Sequence, residues 1–170
     1  SLLNALCNRH RLAHTSKTPG RTQRIHLYDI RLADGTELRL ADLPGYGHAR
    51  VSGQLQRTFG PMIENYLKGR QNLIAVNLLV DARRKPDEDA INFALWMQER
   101  GIHTELVVTK IDKVPRNRHF DLLHRLRKGY GVAQEPIATS ATQGIGIDPL
   151  WRRLSALANQ TDGSPTRGGR

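Results

Sequence analysis

Two short segments of the chain carry residues that could hold the phosphates and the base of a nucleotide. The first is Asp42-Leu43-Pro44-Gly45. A carboxylate such as Asp42 can hold a hydrated Mg²⁺ through water. Gly45 has no side chain, so its backbone N–H can approach a terminal phosphate closely. Because a pattern of this kind is also common in plain turns, the segment needs support from elsewhere in the chain.

The second segment, Thr109-Lys110-Ile111-Asp112, could select the base. Asp112 could accept two N–H bonds from the Watson–Crick edge of guanine, a bidentate contact that adenine cannot offer, and the stem of Lys110 could lie along the base plane. Beyond it, a tight turn at Thr139, Ser140 and Ala141 could present a backbone N–H to the guanine carbonyl oxygen. Each segment alone could be a helix cap after a strand, but three in this order make coincidence a poor explanation.

These segments follow predicted strands, which alternate with helices along the chain. We predict strands over 22–32, 37–42, 73–80, 104–109 and 136–139. The third and fourth are nearly continuous apolar runs, as buried parallel strands are, and Asp34-Gly35 predicts a hairpin between the first two. The first strand has apolar residues in both phases, so we expect a bulge or an edge strand there.

The helices are predicted from apolar spacing and from capping residues. We expect a helix from Leu2 to about Arg11, one opened by Asp87 and closed by Gly101, and one marked by Phe120, Leu123 and Leu126 that stops at Gly129. A last helix is capped by Asp148 and buries Leu150, Leu154 and Leu157. Together the elements predict an α/β fold: a doubly wound, mostly parallel sheet with one antiparallel hairpin, whose ligands bind at the carboxyl ends of the strands.

Composition predicts one domain over residues 1–158 and a disordered basic tail over 159–170. The single cysteine, Cys7, rules out an internal disulfide and fits a reducing cytoplasm. No apolar stretch has the length of a membrane span, so we expect no membrane partner, and we expect a monomer. The 26 Lys and Arg residues against 16 Asp and Glu give a net charge of +10, which favours RNA as a partner, although a basic surface also serves solubility.

Four stretches of the chain, in order, resemble the EngB family of bacterial GTP-binding proteins, which have a P-loop GTPase domain. They are Ser16–Gln23, Asp42–Gly47, Asp81-Ala82-Arg83 and Thr109–Asp112. The resemblance implies GTP or GDP and Mg²⁺ as cofactors, with Thr22 binding both the metal and the γ-phosphate. The implied nucleotide contacts of the first switch are Gly20, Arg21, Thr22, Gln23 and Arg24. It also implies a role in assembling the large ribosomal subunit on its rRNA, on which cell division and septation depend.

The resemblance also raises two expectations about activity. The family has a Gly-rich phosphate loop ahead of residues like Ser1–Asn4, so we expect that the domain is truncated at its start, lacking its first strand and that loop. The 170 residues alone should then bind GTP poorly or not at all. Tyr46 stands where Ras-like switches have a water-orienting Gln, so no catalytic group is assigned and hydrolysis should be slow.

Several basic residues could contact RNA or could simply be solvated. Arg83, Arg84 and Lys85 follow a strand on the same edge as the nucleotide segments, and Arg125, Arg127 and Lys128 could extend that surface. Trp96 and Trp151 are expected to pack rather than to stack on bases. A rival hypothesis is an RNA- or ribosome-binding module that ignores nucleotide, and a third is an α/β protein that binds adenine.

Overall fold

The computed structural model describes residues 2–7, 25–32, 35–43 and 61–162. The strands are β1 (His26–Arg31), β2 (Glu37–Asp42), β3 (Val76–Asp81), β4 (Thr104–Thr109) and β5 (Ile137–Ala138). The helices are α1 (Leu2–Leu6), α2 (61–67), α3 (Glu88–Glu99), α4 (His119–Tyr130) and α5 (Ile147–Asp162). Two turns of 3-10 helix, Ile111–Lys113 and Arg116–Arg118, lead into α4.

A three-stranded parallel sheet in the order β3-β4-β5 forms the centre of the fold. Its register pairs Val76 with Thr104 and Asp81 with Thr109, so β3 and β4 end at the same level. On one face, buried Leu106 and Val108 of β4 belong to a core cluster with residues of α2, α3 and α4. On the other face, Val107 packs with Leu150 and Leu154 of α5. Helices on both faces confirm the doubly wound α/β prediction.

The predicted hairpin is a regular two-stranded antiparallel sheet of β1 and β2. Its register runs without interruption from His26 opposite Asp42 to Arg31 opposite Glu37, so the pairing contains no bulge. Instead, Tyr28 and Ile30 face inward while Leu27 remains 49% exposed. Of the two predicted alternatives, the edge strand is confirmed and the bulge is wrong.

The hairpin turn closes where the sequence placed it. Gly35 has a φ of 87°, a conformation that favours glycine, and its N–H bonds to the carbonyl of Leu32 at 3.0 Å. The hairpin also packs onto the rest of the domain. Leu38 contacts the cluster beneath α5, which includes Val107, Leu150 and Leu154, and Leu43 contacts the larger cluster formed with α2, α3 and α4.

Three helix boundaries test the predicted capping residues. Helix α3 opens at Asp87, which is its N-cap: the side chain accepts from the N–H of Ala90 at 3.2 Å. Helix α4 does not stop at Gly129: it continues to Tyr130, and Gly131 forms the left-handed cap. Helix α5 begins at Ile147, so Asp148 lies within the first turn rather than at the cap. There it still places a negative charge at the positive end of the helix.

The two ends of the described chain meet on one face. The indole Nε1 of Trp151 donates to the carbonyl of Leu6 at 2.9 Å, and Leu2 and Leu6 pack against the cluster beneath α5. Helix α1 ends at Leu6, short of the predicted end near Arg11, and residues 8–11 lie outside the described part. Helix α5 continues to Asp162, beyond the predicted core boundary at residue 158.

Candidate nucleotide-binding site

The predicted base-selecting segments lie side by side at the carboxyl edge of the parallel sheet. The N–H of Ile111 donates to the carbonyl oxygen of Thr139 at 3.1 Å. The N–H of Thr139 donates to the carbonyl oxygen of Val108 at 2.7 Å. These bonds join the turn after β4 to the turn after β5. The sheet thus brings Thr109–Asp112 and Thr139–Ala141 together, as the sequence predicted.

In the segment Thr109–Asp112, the side chains of Thr109 and Ile111 stabilise the fold. Thr109 Oγ1 donates to the carbonyl of Val80 at 3.0 Å, which ties β4 to β3. Ile111 is 1% exposed and belongs to the larger core cluster. The polar ends of Lys110 and Asp112 are therefore the groups that this segment can offer to a ligand.

Lys110 has an unusual backbone conformation. Its φ of 58° and ψ of 37° are left-handed, and it is the only residue other than glycine with positive φ in the described part of the chain. An L residue adopts this conformation at a cost of about 1 kcal/mol. The conformation turns the chain directly from β4 into the 3-10 turn Ile111–Lys113, which holds Asp112 at the sheet edge. Strain of this kind often marks a functional turn.

The carboxylate of Asp112 is buried, and its Oδ2 pairs only with the ammonium group of Lys113 among the described residues. Its side chain is only 3% exposed, and Lys113 Nζ lies 3.0 Å from Oδ2. No donor among the described residues is aligned to hydrogen-bond Oδ2. The hydroxyl of Ser140 and the charge of Lys113 hold the pKa of Asp112 below its ordinary value, so the group is an anionic acceptor at neutral pH.

This arrangement fits a guanine base. An ionised carboxylate has several lone pairs, and two N–H donors on the edge of a base would satisfy those that Asp112 has left beside its ion pair with Lys113. A ligand that carries only acceptors at that position would instead repel it. The residues present therefore fit a guanine nucleotide.

The loop after β5 is a closed turn. Ser140 and Ile145 exchange two backbone hydrogen bonds, at 2.9 and 3.1 Å, while Ser140 Oγ accepts from the N–H of Gln143 at 3.3 Å. Thr139 is fully buried and Ser140 nearly so, whereas Ala141 is exposed. Ala141 is therefore an exposed residue next to Ser140, whose hydroxyl interacts with Asp112, in the turn where the sequence placed a base contact.

A further carboxylate, Asp81 at the end of β3, anchors two basic side chains. Arg83 donates to both of its oxygens, at 2.9 and 2.7 Å, and Lys110 Nζ donates to Oδ2 at 2.9 Å. The guanidinium of Arg83, helped by Lys110, holds the pKa of Asp81 well below its usual range. Asp81 thereby restrains the side chain of Lys110, whose stem was predicted to lie along the base plane.

Asp42 lies at the end of β2, opposite His26 in the hairpin. Burial raises its pKa, an effect that His26 partly offsets, and no cation is paired with it in the part of the chain that the structure describes. A partly buried carboxylate without a counter-charge fits a hydrated divalent cation. The next residue, Leu43, packs its side chain into the core and could contact a ligand only through its backbone.

Several predicted contacts lie outside the described residues. They are Gly20, Arg21, Thr22, Gln23, Arg24, Pro44 and Gly45, and Tyr46 also lies outside the described ranges. Within the described ranges there is no group of three or more side chains that could hold a metal ion by themselves, and no helix there is long and apolar enough to span a membrane.

Two of the basic residues that were predicted as possible RNA contacts form ion pairs within the protein. Arg83 is bound by Asp81, and Arg127 is bound by Glu135 and by the carbonyl of Ala133.

Trp96 stacks on Phe93 with ring centroids 5.7 Å apart, and Trp151 is partly buried against α1, so both tryptophans pack as predicted.

Phe120, one of the three apolar residues by which the sequence marked helix α4, does not lie on its buried face. Its side chain is 80% exposed, and the buried residues are Leu122, Leu126 and Tyr130. The spacing of these three residues, four apart, was the available signal.

Comparison with known proteins agrees with this geometry. Residues 1–110 match the family described as "50S ribosome-binding GTPase". A solved structure called "Crystal structure of a probable GTP-binding protein engB" superposes with a TM-score of 0.70 at 20% identity, covering 94% of this chain and 91% of the other. Era in complex with MgGDPNP and nucleotides of 16S ribosomal RNA gives 0.73 at 19% identity, covering 99% of this chain and 53% of the other. Fold and site thus define a P-loop GTPase domain.

Closer relatives identify the family. "Probable GTP-binding protein EngB" of Geobacter sulfurreducens is 39% identical over 97% of this chain and 81% of its own length. The protein with that name from Geotalea daltonii is 41% identical over 96% of this chain and 78% of its own length. The chain therefore belongs to the EngB family of GTP-binding proteins.

Proposed function

We propose that this protein is a GTP-dependent switch that acts in assembly of the large ribosomal subunit. The observation that carries the proposal is Asp112, a buried and ionised carboxylate whose Oδ2 pairs with the ammonium group of Lys113 but has no aligned hydrogen-bond donor among the described residues. It lies at the strand edge where nucleotides bind in such sheets. Guanine supplies the two adjacent N–H donors that this carboxylate can accept.

The other residues of the site have supporting roles in this proposal. Lys110 would cover one face of the base while Asp81 restrains its ammonium group, and the backbone of Ala141 would bind the guanine carbonyl oxygen. At the phosphate end, the proposed contacts are Gly20–Arg24 and Asp42–Gly45. Mg²⁺ would be held by the Thr22 hydroxyl and, through water, by Asp42, and would neutralise phosphate charge.

Switching would follow from the same contacts. Thr22 and Gly45 would each bind the γ-phosphate through a backbone N–H, and loss of that phosphate would release both segments. No residue is assigned as the group that orients the attacking water. The state with both segments ordered would differ in affinity for the ribosomal partner, which is what makes the protein a switch.

The ribosomal partner is supported by three independent observations. The matching family is described as binding the 50S ribosome, the structurally similar Era was crystallised with ribosomal RNA, and the chain has a net charge of +10. We therefore propose rRNA within a precursor of the large subunit as the partner, a cytoplasmic location, and a dependence of cell division and septation on the protein.

The experiment is a co-sedimentation of the protein with large-subunit precursor particles, with GDP or with a non-hydrolysable GTP analogue. A switch requires association that depends on the nucleotide. Equal, salt-sensitive association in both nucleotide states would instead favour the rival, an RNA-binding module with idle nucleotide motifs.

A further inference from the structure

Helix α4 carries an exposed ridge that the nucleotide site does not use. Phe120, His124 and Lys128 are spaced four residues apart and so lie in line on one face of the helix. All three are exposed, and Phe120 most of all, at 80%. The opposite face of α4 is buried against the core through Leu122, Leu126 and Tyr130.

The two rings of this ridge are already stacked. The centroids of Phe120 and His124 are 6.4 Å apart and their planes differ by 11°. Parallel rings on consecutive turns of a helix make a flat platform that presents a free face of Phe120 to solvent. Such a face can stack with a nucleic-acid base, whatever the base is.

Exposed basic residues precede and follow this platform along the chain. Arg116 and Arg118 lie on the 3-10 turn before α4, and Arg125 and Lys128 lie on the helix; all four are exposed. None of them has an ion-pair partner within the residues that the structure describes. The carboxylate on the exposed face is Asp121, so cations prevail there. By contrast, the charges of Arg83 and Arg127 are balanced by Asp81 and Glu135.

We propose that this α4 ridge binds unpaired RNA, with a base stacked on Phe120 and phosphates held by Arg116, Arg118, Arg125 and Lys128. The charge complements a polyanion, and the exposed ring has a use only where bases are unstacked, which excludes an intact duplex. The proposal rests on the rRNA partner proposed above and assigns it a surface. It also separates this surface from the loop of Arg83, Arg84 and Lys85.

The test measures binding of a fluorescein-labelled single-stranded RNA of about 12 nucleotides by anisotropy, with the same sequence as a duplex for comparison. Phe120→Ala should weaken binding of the single strand about tenfold, the range seen for loss of one stacked base. Phe120→Tyr, which keeps the ring, should bind like the wild type. The duplex should bind more weakly than the single strand.

A charge-matched pair tests the cations. Arg125→Glu should weaken binding and reduce the dependence of log K on log salt by about 0.7 for each phosphate that the variant no longer neutralises. Arg152→Glu makes the same charge change at an exposed position of α5, and should have little effect. Unchanged thermal melting of all variants would show that the fold is intact.

The proposal would be overturned if Phe120→Ala bound the single strand as the wild type does, or if Arg152→Glu weakened binding as much as Arg125→Glu. Failure of the wild type to bind the single strand would also overturn it. The co-sedimentation experiment reports separately on the switch function. If the Phe120→Ala variant still associated in a nucleotide-dependent way, the α4 ridge would be ruled out as the RNA-binding surface, and the proposed switch function would be retained.

Discussion

Asp81 Oδ2 accepts a hydrogen bond from Lys110 Nζ at 2.9 Å and so joins the carboxyl end of β3 to that of β4. The same carboxylate is held by Arg83, two residues further along its own chain. Lys110 belongs to the turn that contains Asp112. The ion pair thus connects the end of a core strand to the segment proposed to select the base, and fixes where the Lys110 side chain lies.

This contact predicts a pH-dependent contribution to stability. Because Arg83 and Lys110 lower the pKa of Asp81 in the folded state, the unfolded chain binds the proton more tightly. The stabilisation is therefore complete above the unfolded pKa, about 4, and is lost as the pH falls below it. Asp81→Asn should reduce the free energy of unfolding at pH 7 by about 1 kcal/mol, since both cations are largely exposed. At pH 2 to 3 (about 1 to 2 units below that pKa) the difference from the wild type should shrink.

Urea unfolding at the two pH values measures this difference. Asp29→Asn is the matched control, because Asp29 also binds an arginine, Arg39, but both side chains are more than half exposed. The control should have the smaller effect. If Asp81→Asn lowered the free energy of unfolding by the same amount at both pH values, the assigned role of the carboxylate charge would be contradicted.

Gly146 and Gly144 form a second matched pair, in the loop that carries Ser140. Both have left-handed φ values, 73° and 66°. A Cβ at Gly146 would lie 2.0 Å from the carbonyl oxygen of Ala138, whereas a Cβ at Gly144 would meet nothing within 4 Å. Gly144→Ala should therefore cost about 1 kcal/mol of unfolding free energy. Gly146→Ala should cost about 3 kcal/mol, because the backbone of β5 must also shift.

Guanidinium unfolding of the two variants gives these costs directly. If the base contact at Ala141 is correctly placed, Gly146→Ala should also weaken guanine-nucleotide binding more than Gly144→Ala does. Equal destabilisation by the two substitutions would show that the loop does not pack against Ala138 as described.

Glu105 predicts a third effect, at the amino end of the sheet far from the nucleotide edge. It is fully buried, and its carboxylate contacts Arg153 Nη1 at 3.1 and 3.2 Å and His103 Nε2 at 2.8 Å. Arg153→Met would remove the permanent charge that balances a buried anion. We expect a loss of about 3 kcal/mol in unfolding free energy.

Arg152→Met is the control for this prediction. Arg152 is the neighbouring residue on α5, is exposed, and has no ion-pair partner among the described residues. Its replacement should leave the thermal midpoint nearly unchanged. A similar shift for both variants would mean that α5 loses stability for reasons other than the contact with Glu105.

The fold was largely predictable because its signals are local. The bounds predicted for the strands 37–42 and 104–109 are those observed, since alternation in the first and a continuous apolar run in the second depend only on neighbouring residues. The polar residues after each strand then mark one edge of the sheet, because parallel strands all end there. This is why Asp112 and Ser140 could be placed together without a structure.

The remaining errors concern choices that local sequence leaves open. Either of two glycines, Gly129 and Gly131, could end α4. The helix is capped by Gly131, because burial of Tyr130 extends it beyond Gly129. The apolar residue Phe120 marked the helix without showing which face is buried, and that face is formed by Leu122, Leu126 and Tyr130. The ion pair of Asp81 with Lys110 joins residues far apart in sequence, so only the register of β3 against β4 reveals it.

The central claim, that Asp112 selects guanine, is tested most directly by measuring nucleotide preference after Asp112→Asn. The measurement is a competition of GDP and XDP against a fluorescent guanine nucleotide, on the protein expressed from its full reading frame. An amide donates where the carboxylate accepts, so it should pair with the additional carbonyl of xanthine. Asp121→Asn, at an exposed carboxylate of α4, is the matched control.

We predict that Asp112→Asn loses affinity for GDP by about 100-fold or more and gains affinity for XDP, while Asp121→Asn behaves as the wild type. Retention of guanine preference by Asp112→Asn, with its fold intact, would contradict the account.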